Sequence, residues 1–347
     1  MIYISLCIDW EGDHFRNLSE LNQLLNEMGS HIPVTHFICP AYFYRFPNEA
    51  VQSIQSAIRP VDEVGLHLHC FKSLIKKVEG VKFKTAHNFY RKNEPLIQMR
   101  DWLLNYFPPN ARAYALEKLV SGRGVPLSVY TPEEIKRILL HAAWLLKNEL
   151  NLDAVNSFRA GGWIASDEVL QALSAVNIEI DSSAVSPEIL SQGYEEDWAG
   201  NNCDDYNEYY PIFTDYIKEL WGRDVQASGF LKNKYIHAAM PMPYITRLAQ
   251  PFPVNKIIEM PNNCGATDFA TMEKTFLPVF DSLLKENMEN ENQKPLFINI
   301  TCHQEGDYYY KKAMLAFYNY VTSAYSSQVT FTTVSNAATI YKKHLLP

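Results

Sequence analysis

Hydrophobic positions along the chain follow two alternating rhythms. Residues 2–8 form a short continuous apolar run, the pattern of a strand, and 18–28 carry apolar side chains at 18, 21, 24, 25 and 28, the spacing of one helix face. The alternation continues with a strand over 33–39, a helix over 48–58 and an extended segment over 63–69. Strand and helix in strict succession imply parallel strands joined by crossover helices, hence an α/β sheet or barrel. Chemistry in such folds gathers at the carboxyl ends of the strands.

The rhythm breaks twice. Residues 72–130 are a mixed stretch with Pro108-Pro109 and Gly122-Arg-Gly124, and 186–255 are rich in Tyr, Asp and Asn; both read as insertions in a single domain spanning 1–347. The first reads as a cap over the site. Between them Thr131-Pro-Glu-Glu134 opens a strong helix that runs to about residue 150: Thr as cap, Pro in the first turn, acids beside it. A strand over 154–158 ends at Arg159, a helix over 166–176 is capped by Ser166, and a strand over 178–180 ends at Asp181. Segments 257–260 and 296–301 are the last core strands, the second ending at His303. The tail 307–343 supplies a long helix, a strand over 329–334 and a short final helix. No internal repeat is present.

Composition narrows the function. The 347 residues can bury a large core, and 47% hydrophobic with 20% charged residues is ordinary for a globular protein. A net charge of −8 argues against a nucleic-acid partner. No apolar stretch reaches the roughly 18 residues of a membrane span, and the opening residues carry neither a basic n-region nor a cleavage site. Six Cys without CxxC pairs suit reduced thiols, so a cytoplasmic location is expected. The 21 Tyr and six Trp either line a sugar site or fill the core.

The polar residues at the predicted strand ends carry the chemistry: Asp9 and Glu11, His67 and His69, Arg159, Asp181, Glu259 and His303. His67 and His69 stand two apart on an extended segment, so they share a face and can reach one metal ion. An acid pair, a His pair, an Arg and a lone His meet the needs of metal-assisted hydrolysis. A divalent ion takes a His-His-carboxylate set and keeps a position open for water; a second carboxylate serves as base and a separate His as acid.

The order of these motifs resembles the polysaccharide deacetylase family (carbohydrate esterase family 4, the nodulation-deacetylase homology domain). The matching segments are Cys7-Ile-Asp9-Trp10-Glu11, Glu63-Val-Gly65-Leu-His67-Leu-His69, Ser157-Phe-Arg159-Ala-Gly161-Gly-Trp163, Ile180-Asp181-Ser-Ser183 and Phe297-Ile-Asn-Ile-Thr-Cys-His303. The resemblance implies a distorted (β/α) barrel of about seven parallel strands and hydrolysis of an acetyl group on an acetylated amino sugar or polysaccharide precursor. It implies that Asp9 is the general base, that Glu11 and His67 hold a divalent metal, with His69 the candidate to complete the set, and that His303 is the general acid. Arg159 would keep Asp9 charged, and Asp181 would belong to the support network. Zinc is the first expectation for the metal, with cobalt, manganese or nickel also suited to such ligands. Trp10 and Trp163, inside the motifs, are the candidates for substrate contact.

The chain departs from the family pattern in three places. The acids are spaced Asp-x-Glu rather than adjacent, which leaves open an exchange of roles between Asp9 and Glu11. The second His is expected four residues after the first, where this chain has Phe71, so either His69 substitutes or a ligand comes from elsewhere, such as His14, His36 or His87. The Pro that usually follows the Arg is absent, and Ala160-Gly161-Gly162 predicts a roomier floor. Two further readings therefore stand beside deacetylation: hydrolysis of another non-peptide C–N bond on the same fold, and a non-catalytic carbohydrate-binding descendant.

Overall fold

The computed structural model describes residues 1–84, 121–122, 125, 127–161, 165, 167–184, 250–254, 256–265, 272–289, 294–306 and 308–345. The bulk of both predicted insertions, and with it the expected cap over the site, lies outside the described residues. Among the described residues the strands are β1 (Ile2–Trp10), β2 (Val34–Ile38), β3 (Glu63–Leu68), β4 (Ser157–Ala160), β5 (Ile180–Asp181), β6 (Phe252–Val254), β7 (Ile257–Glu259), β8 (Cys264–Gly265), β9 (Leu296–His303) and β10 (Val329–Phe331). They pair in the order β6-β7-β5-β4-β3-β2-β1-β9-β8, with β10 added on β1. Every pairing is parallel except β6 with β7. The fold is thus α/β with a curled, mostly parallel sheet. Its strand count exceeds the seven expected, because short bridging pieces β6, β8 and β10 flank the longer strands.

Two features show how the sheet curls. β1 is shared along one edge: Ile2–Ile4 pair with Val329–Phe331, whereas Leu6–Trp10 pair with Val34–Ile38. At the far side, the link between β7 and β8 reaches both neighbours. Met260 N–H donates to the Asp181 carbonyl at 2.7 Å, and Asn263 N–H donates to the Asn299 carbonyl at 2.9 Å. The Asn299 amide donates in turn to the Met260 and Pro261 carbonyls.

The helices follow from capping and periodicity. The first, α1 (Leu18–Met28), buries Leu21, Leu24, Leu25 and Met28, as its spacing predicts. The helix Pro132–Leu150 starts at a complete capping box, with Thr131 accepting from Glu134 N–H and Glu134 accepting from Thr131 N–H. Thr333 stops the strand expected over 329–334: its hydroxyl accepts from Asn336 N–H, which begins the helix Val334–Leu345 one turn early. That last helix plugs the end of the concave face away from the strand carboxyl termini. Val334, Ala337, Ala338 and Tyr341 pack there on Cys7, Phe37, Ile258 and Phe297. The larger apolar core lies on the other face, beneath the helices. Among the described residues no helix is long and apolar enough to cross a membrane, and Cys7, Cys39, Cys70, Cys264 and Cys302 are buried free thiols.

Candidate active site

Strand register assembles the site. In parallel sheets residues level with one another point the same way, and alternate residues along a strand share a face. His303 is level with Asp9, Asp9 with Phe37, and Phe37 with Gly65. Two residues further along sit Glu11 and His67 on the same concave face, with Arg159 level with His67. Six of the predicted residues, Asp9, Glu11, His67, His69, Arg159 and His303, therefore converge at one end of the sheet.

Arg159 forms the base of the site. Its side chain is fully buried and donates from Nη1 to Asp9 Oδ1 at 2.7 Å and to Thr301 Oγ1 at 2.7 Å. Nε donates to the Ser182 carbonyl and Nη2 to the Ser182 hydroxyl. Beneath it the Phe37 ring lies 4.2 Å from the guanidinium carbon, a cation–π contact. Gly65 makes this possible, since a Cβ there would fall 2.7 Å from Phe37 Cδ1 and 2.5 Å from Ser157 Oγ. Burial opposes the guanidinium charge, but the Asp9 carboxylate overrides it and raises the pKa further.

Above this pair lies a donor set. Glu11 Oε1 is 3.2 Å from His67 Nε2, and Oε2 is 2.9 Å from His69 Nε2. One ligand atom from each of Glu11, His67 and His69 falls within 4.8 Å of the others, and the same holds for Asp9, Glu11 and His303. His303 Nε2 stands 3.7 Å from Glu11 Oε1 and 4.0 Å from Asp9 Oδ2, on a side chain 30% exposed. His303 is thus the group of this set that a ligand reaches first.

The chemistry of His67 tests whether a cation fits. Its Nδ1 is 3.0 Å from the Arg159 carbonyl, which can only accept, so that nitrogen carries a proton. In the neutral ring the Nε2 lone pair then faces a carboxylate oxygen. Two lone pairs at that separation repel unless a proton or a metal ion lies between them. Backbone-anchored Nδ1 with Nε2 turned toward a carboxylate is the arrangement of a metal-ligating His. Burial works against a charge on this ring, but the hydrogen bond to Glu11 and the Asp9 carboxylate raise its pKa. Burial also opposes ionised Glu11; the charges of His69 and His303 and the hydrogen bonds of His67 and His69 hold its carboxyl well below the usual range. The donor set fits a divalent cation.

Phe71 stands where the family pattern expects the second His, and its ring is packed away. It is 1% exposed, under the Arg45 guanidinium at 4.6 Å and edge-on to His69 at 6.1 Å. His69 instead turns its ring to His67, edge to face at 4.9 Å.

Other sequence expectations land differently. Trp10 was expected to contact substrate. It alternates with Asp9 and Glu11, points to the opposite face, and is 0% exposed, its indole N–H donating to His36 Nδ1 at 3.1 Å. It is a core residue of the network His36–Asp62–Arg59. Asp181 is level with Phe158 rather than Arg159. Its carboxyl accepts from Ser183 and lies beside Glu259, and Ser182 is what holds Arg159. Burial raises the Asp181 pKa, against the opposing hydrogen bonds of Glu259 and Ser183. Ser183 still connects Asp181 to the site, accepting from Ala160 N–H at 2.9 Å. Trp163 lies outside the described residues.

Sequence reasoning missed Glu305. Its carboxylate accepts from Glu11 N–H at 3.0 Å, from Asp13 N–H at 3.4 Å and from the Tyr42 hydroxyl, so it holds the turn that carries Glu11. Burial and the neighbouring Glu11 charge push its pKa up to about 7. An acid two residues past a strand-end His was the available signal, but nothing in the sequence pairs it with Glu11.

No family model matches the chain, and no curated protein matches it. Solved structures overlap it in fold. One described as the Puue allantoinase gives 12% identity and a TM-score of 0.49, covering 100% of this chain and 92% of the other. A protein described as a probable polysaccharide deacetylase from Pseudomonas aeruginosa PAO1 gives 10% identity and a TM-score of 0.47, over 100% and 92% of the two chains. The peptidoglycan deacetylase PdaC from Bacillus subtilis gives 10% identity and a TM-score of 0.38, over 98% and 92%. Overlaps this low carry no argument about chemistry, which rests on the site itself.

Proposed function

We propose that the chain is a metal-dependent hydrolase that removes an acetyl group from an N-acetylated sugar or polysaccharide precursor. The observation that carries this reading is the Asp9 carboxylate, held by Arg159 at 2.7 Å directly below the Glu11–His67–His69 donor set. The motif resemblance supports the choice of an acetylated amino sugar. The residues would hold a divalent cation, zinc first, which when bound supplies Lewis acidity to the acetyl carbonyl and lowers the pKa of water.

The chain's own groups then have distinct tasks. Asp9, held in place by Arg159, takes a proton from the attacking water as its oxygen bonds to the acetyl carbon. His303, the most exposed member, gives a proton to the leaving amine as the C–N bond breaks. Acetate and the free amine result, and both residues return to their starting states by proton exchange with solvent. Asp181 acts at a distance, through Ser183 and the backbone of Ala160. On the same reading the 257–265 segment joins β5 to β9 and completes a distorted barrel. The buried free thiols support a reducing compartment, so the proposed site of action is the cytoplasm, on a small, nucleotide-linked or lipid-linked amino sugar.

Metal analysis of the purified protein and acetate release from a panel of acetylated amino sugars test the proposal. Glu11→Ala and His67→Ala should strip the metal, whereas Asp9→Ala should keep it and abolish turnover. Stoichiometric metal and full activity in both His67→Ala and His69→Ala would sink the site assignment.

A further inference from the structure

The predicted roomy floor after Arg159 is not empty. A Cβ on Gly161 would lie 2.6 Å from His69 Nδ1, 2.7 Å from Cε1 and 2.8 Å from Cγ. Those atoms span the imidazole, so its ring rests directly on the bare Cα of Gly161. The Gly161 backbone is not in the left-handed region, which glycine favours, so alanine is permitted there by conformation. The three nearest atoms that a side chain there would meet all belong to His69.

We infer that Gly161 is the positioning residue that lets His69 serve as the second nitrogen donor, and that the two form one unit. Three observations converge on it. The Nε2 of His69 comes within 2.9 Å of Glu11 Oε2 only with the ring seated where it is. Toward Phe71 the ring meets a side chain that is 1% exposed and packed under the Arg45 guanidinium. On its other side the ring abuts His67. A methyl group at 161 must therefore move the imidazole toward Glu11 or tilt it away, and either change spoils the donor distance. The inference rests on the proposed metal-binding reading and adds which residue makes the unusual His spacing workable.

A double-mutant cycle read by chelator competition tests this with Zn²⁺. Gly161→Ala should lower Zn²⁺ affinity about 10-fold or more, the usual effect of losing a group that orients a ligand. In the His69→Ala background, where the ring is gone, the same substitution should change affinity by less than about twofold, since Gly161 acts only through that ring. Thermal unfolding of the metal-free proteins reports any general damage, which should be small for the double variant. Wild-type affinity in Gly161→Ala, or a loss that adds in full to that of His69→Ala, would overturn the inference. If the wild-type protein binds no Zn²⁺, the metal reading itself fails, and the two failures are distinguishable.

Discussion

Arg159 donates to Asp9 across 150 residues of sequence, and both side chains are fully buried. A charge pair so enclosed is costly to break from one side, because the survivor is left uncompensated in a dry interior. Arg159→Met should cost about 3–5 kcal/mol of stability and lower turnover, because it removes the group that orients Asp9. Asp9→Asn should also destabilise the protein, and the double variant should lose clearly less than the sum. Urea unfolding of the four proteins measures this; additive losses would show that the two groups do not depend on each other.

Gly65 gives a second, independent handle on the same guanidinium. Gly65→Ala places a methyl against Phe37 and Ser157, and overpacking of this kind costs about 1–3 kcal/mol. The Phe37 ring is then pushed from beneath Arg159, so turnover should fall by more than the small unfolded fraction explains. Phe37→Leu in the same chain should recover part of the stability by freeing space. No recovery would mean that Ser157, not Phe37, is the obstacle.

Glu305 should behave as the clamp of the Glu11 turn. Glu305→Ala orphans two backbone N–H groups, at about 1–3 kcal/mol for each group left buried without a partner, and leaves the Tyr42 hydroxyl only the more distant His14 carbonyl and Gln304 amide oxygen. Glu305→Gln keeps an acceptor and should be milder. Because the folded protein holds the Glu305 pKa at about 7, above the ordinary 4.5, the native state binds the extra proton. Its stabilisation is present below 4.5 and lost as pH rises through 7. The Gln variant should lack that slope in urea midpoints taken across this interval, and an unchanged slope would remove Glu305 as its source.

Asp62 predicts the opposite dependence at acid pH. Burial disfavours its charge, but hydrogen bonds from His36 and Arg59 prevail and lower the pKa from 3.8 to about 2. A depressed acid stabilises the fold above its unfolded pKa and loses that contribution as pH falls through the folded one, here from 3.8 to about 2. Asp62→Asn should be less stable at neutral pH and should flatten acid unfolding between those values. Far-UV circular dichroism during acid titration tests it.

Much of the site was legible because alternation and parallel register are simple rules. His67 and His69, or Asp9 and Glu11, stand two apart, so each pair shares a face wherever its strand extends. The same rule would have excluded Trp10, which lies between two inward-facing acids. Asp181 was harder, since a strand of two residues shows no alternation, and its facing was settled only by its pairing with Phe158 and Glu259. The partner of Glu305 could not be read from its place after His303: its bond to Glu11 N–H joins positions 294 residues apart. The helix Ala41–Arg45, which brings Tyr42 to Glu305, is too short to leave a periodic signal.

The shared β1 strand and the Arg159 pair together have a kinetic meaning. Asp9 sits on a strand whose neighbours come from both halves of the chain, and its charge partner is anchored by Thr301 across 142 residues. Contacts of such sequence separation must wait for large loops to close, so they form late in folding. A partly folded chain therefore holds Asp9 and Arg159 apart, and the two meet only when the sheet has curled. The candidate site should thus be among the last parts of the described sheet to assemble and among the first to come apart when it opens.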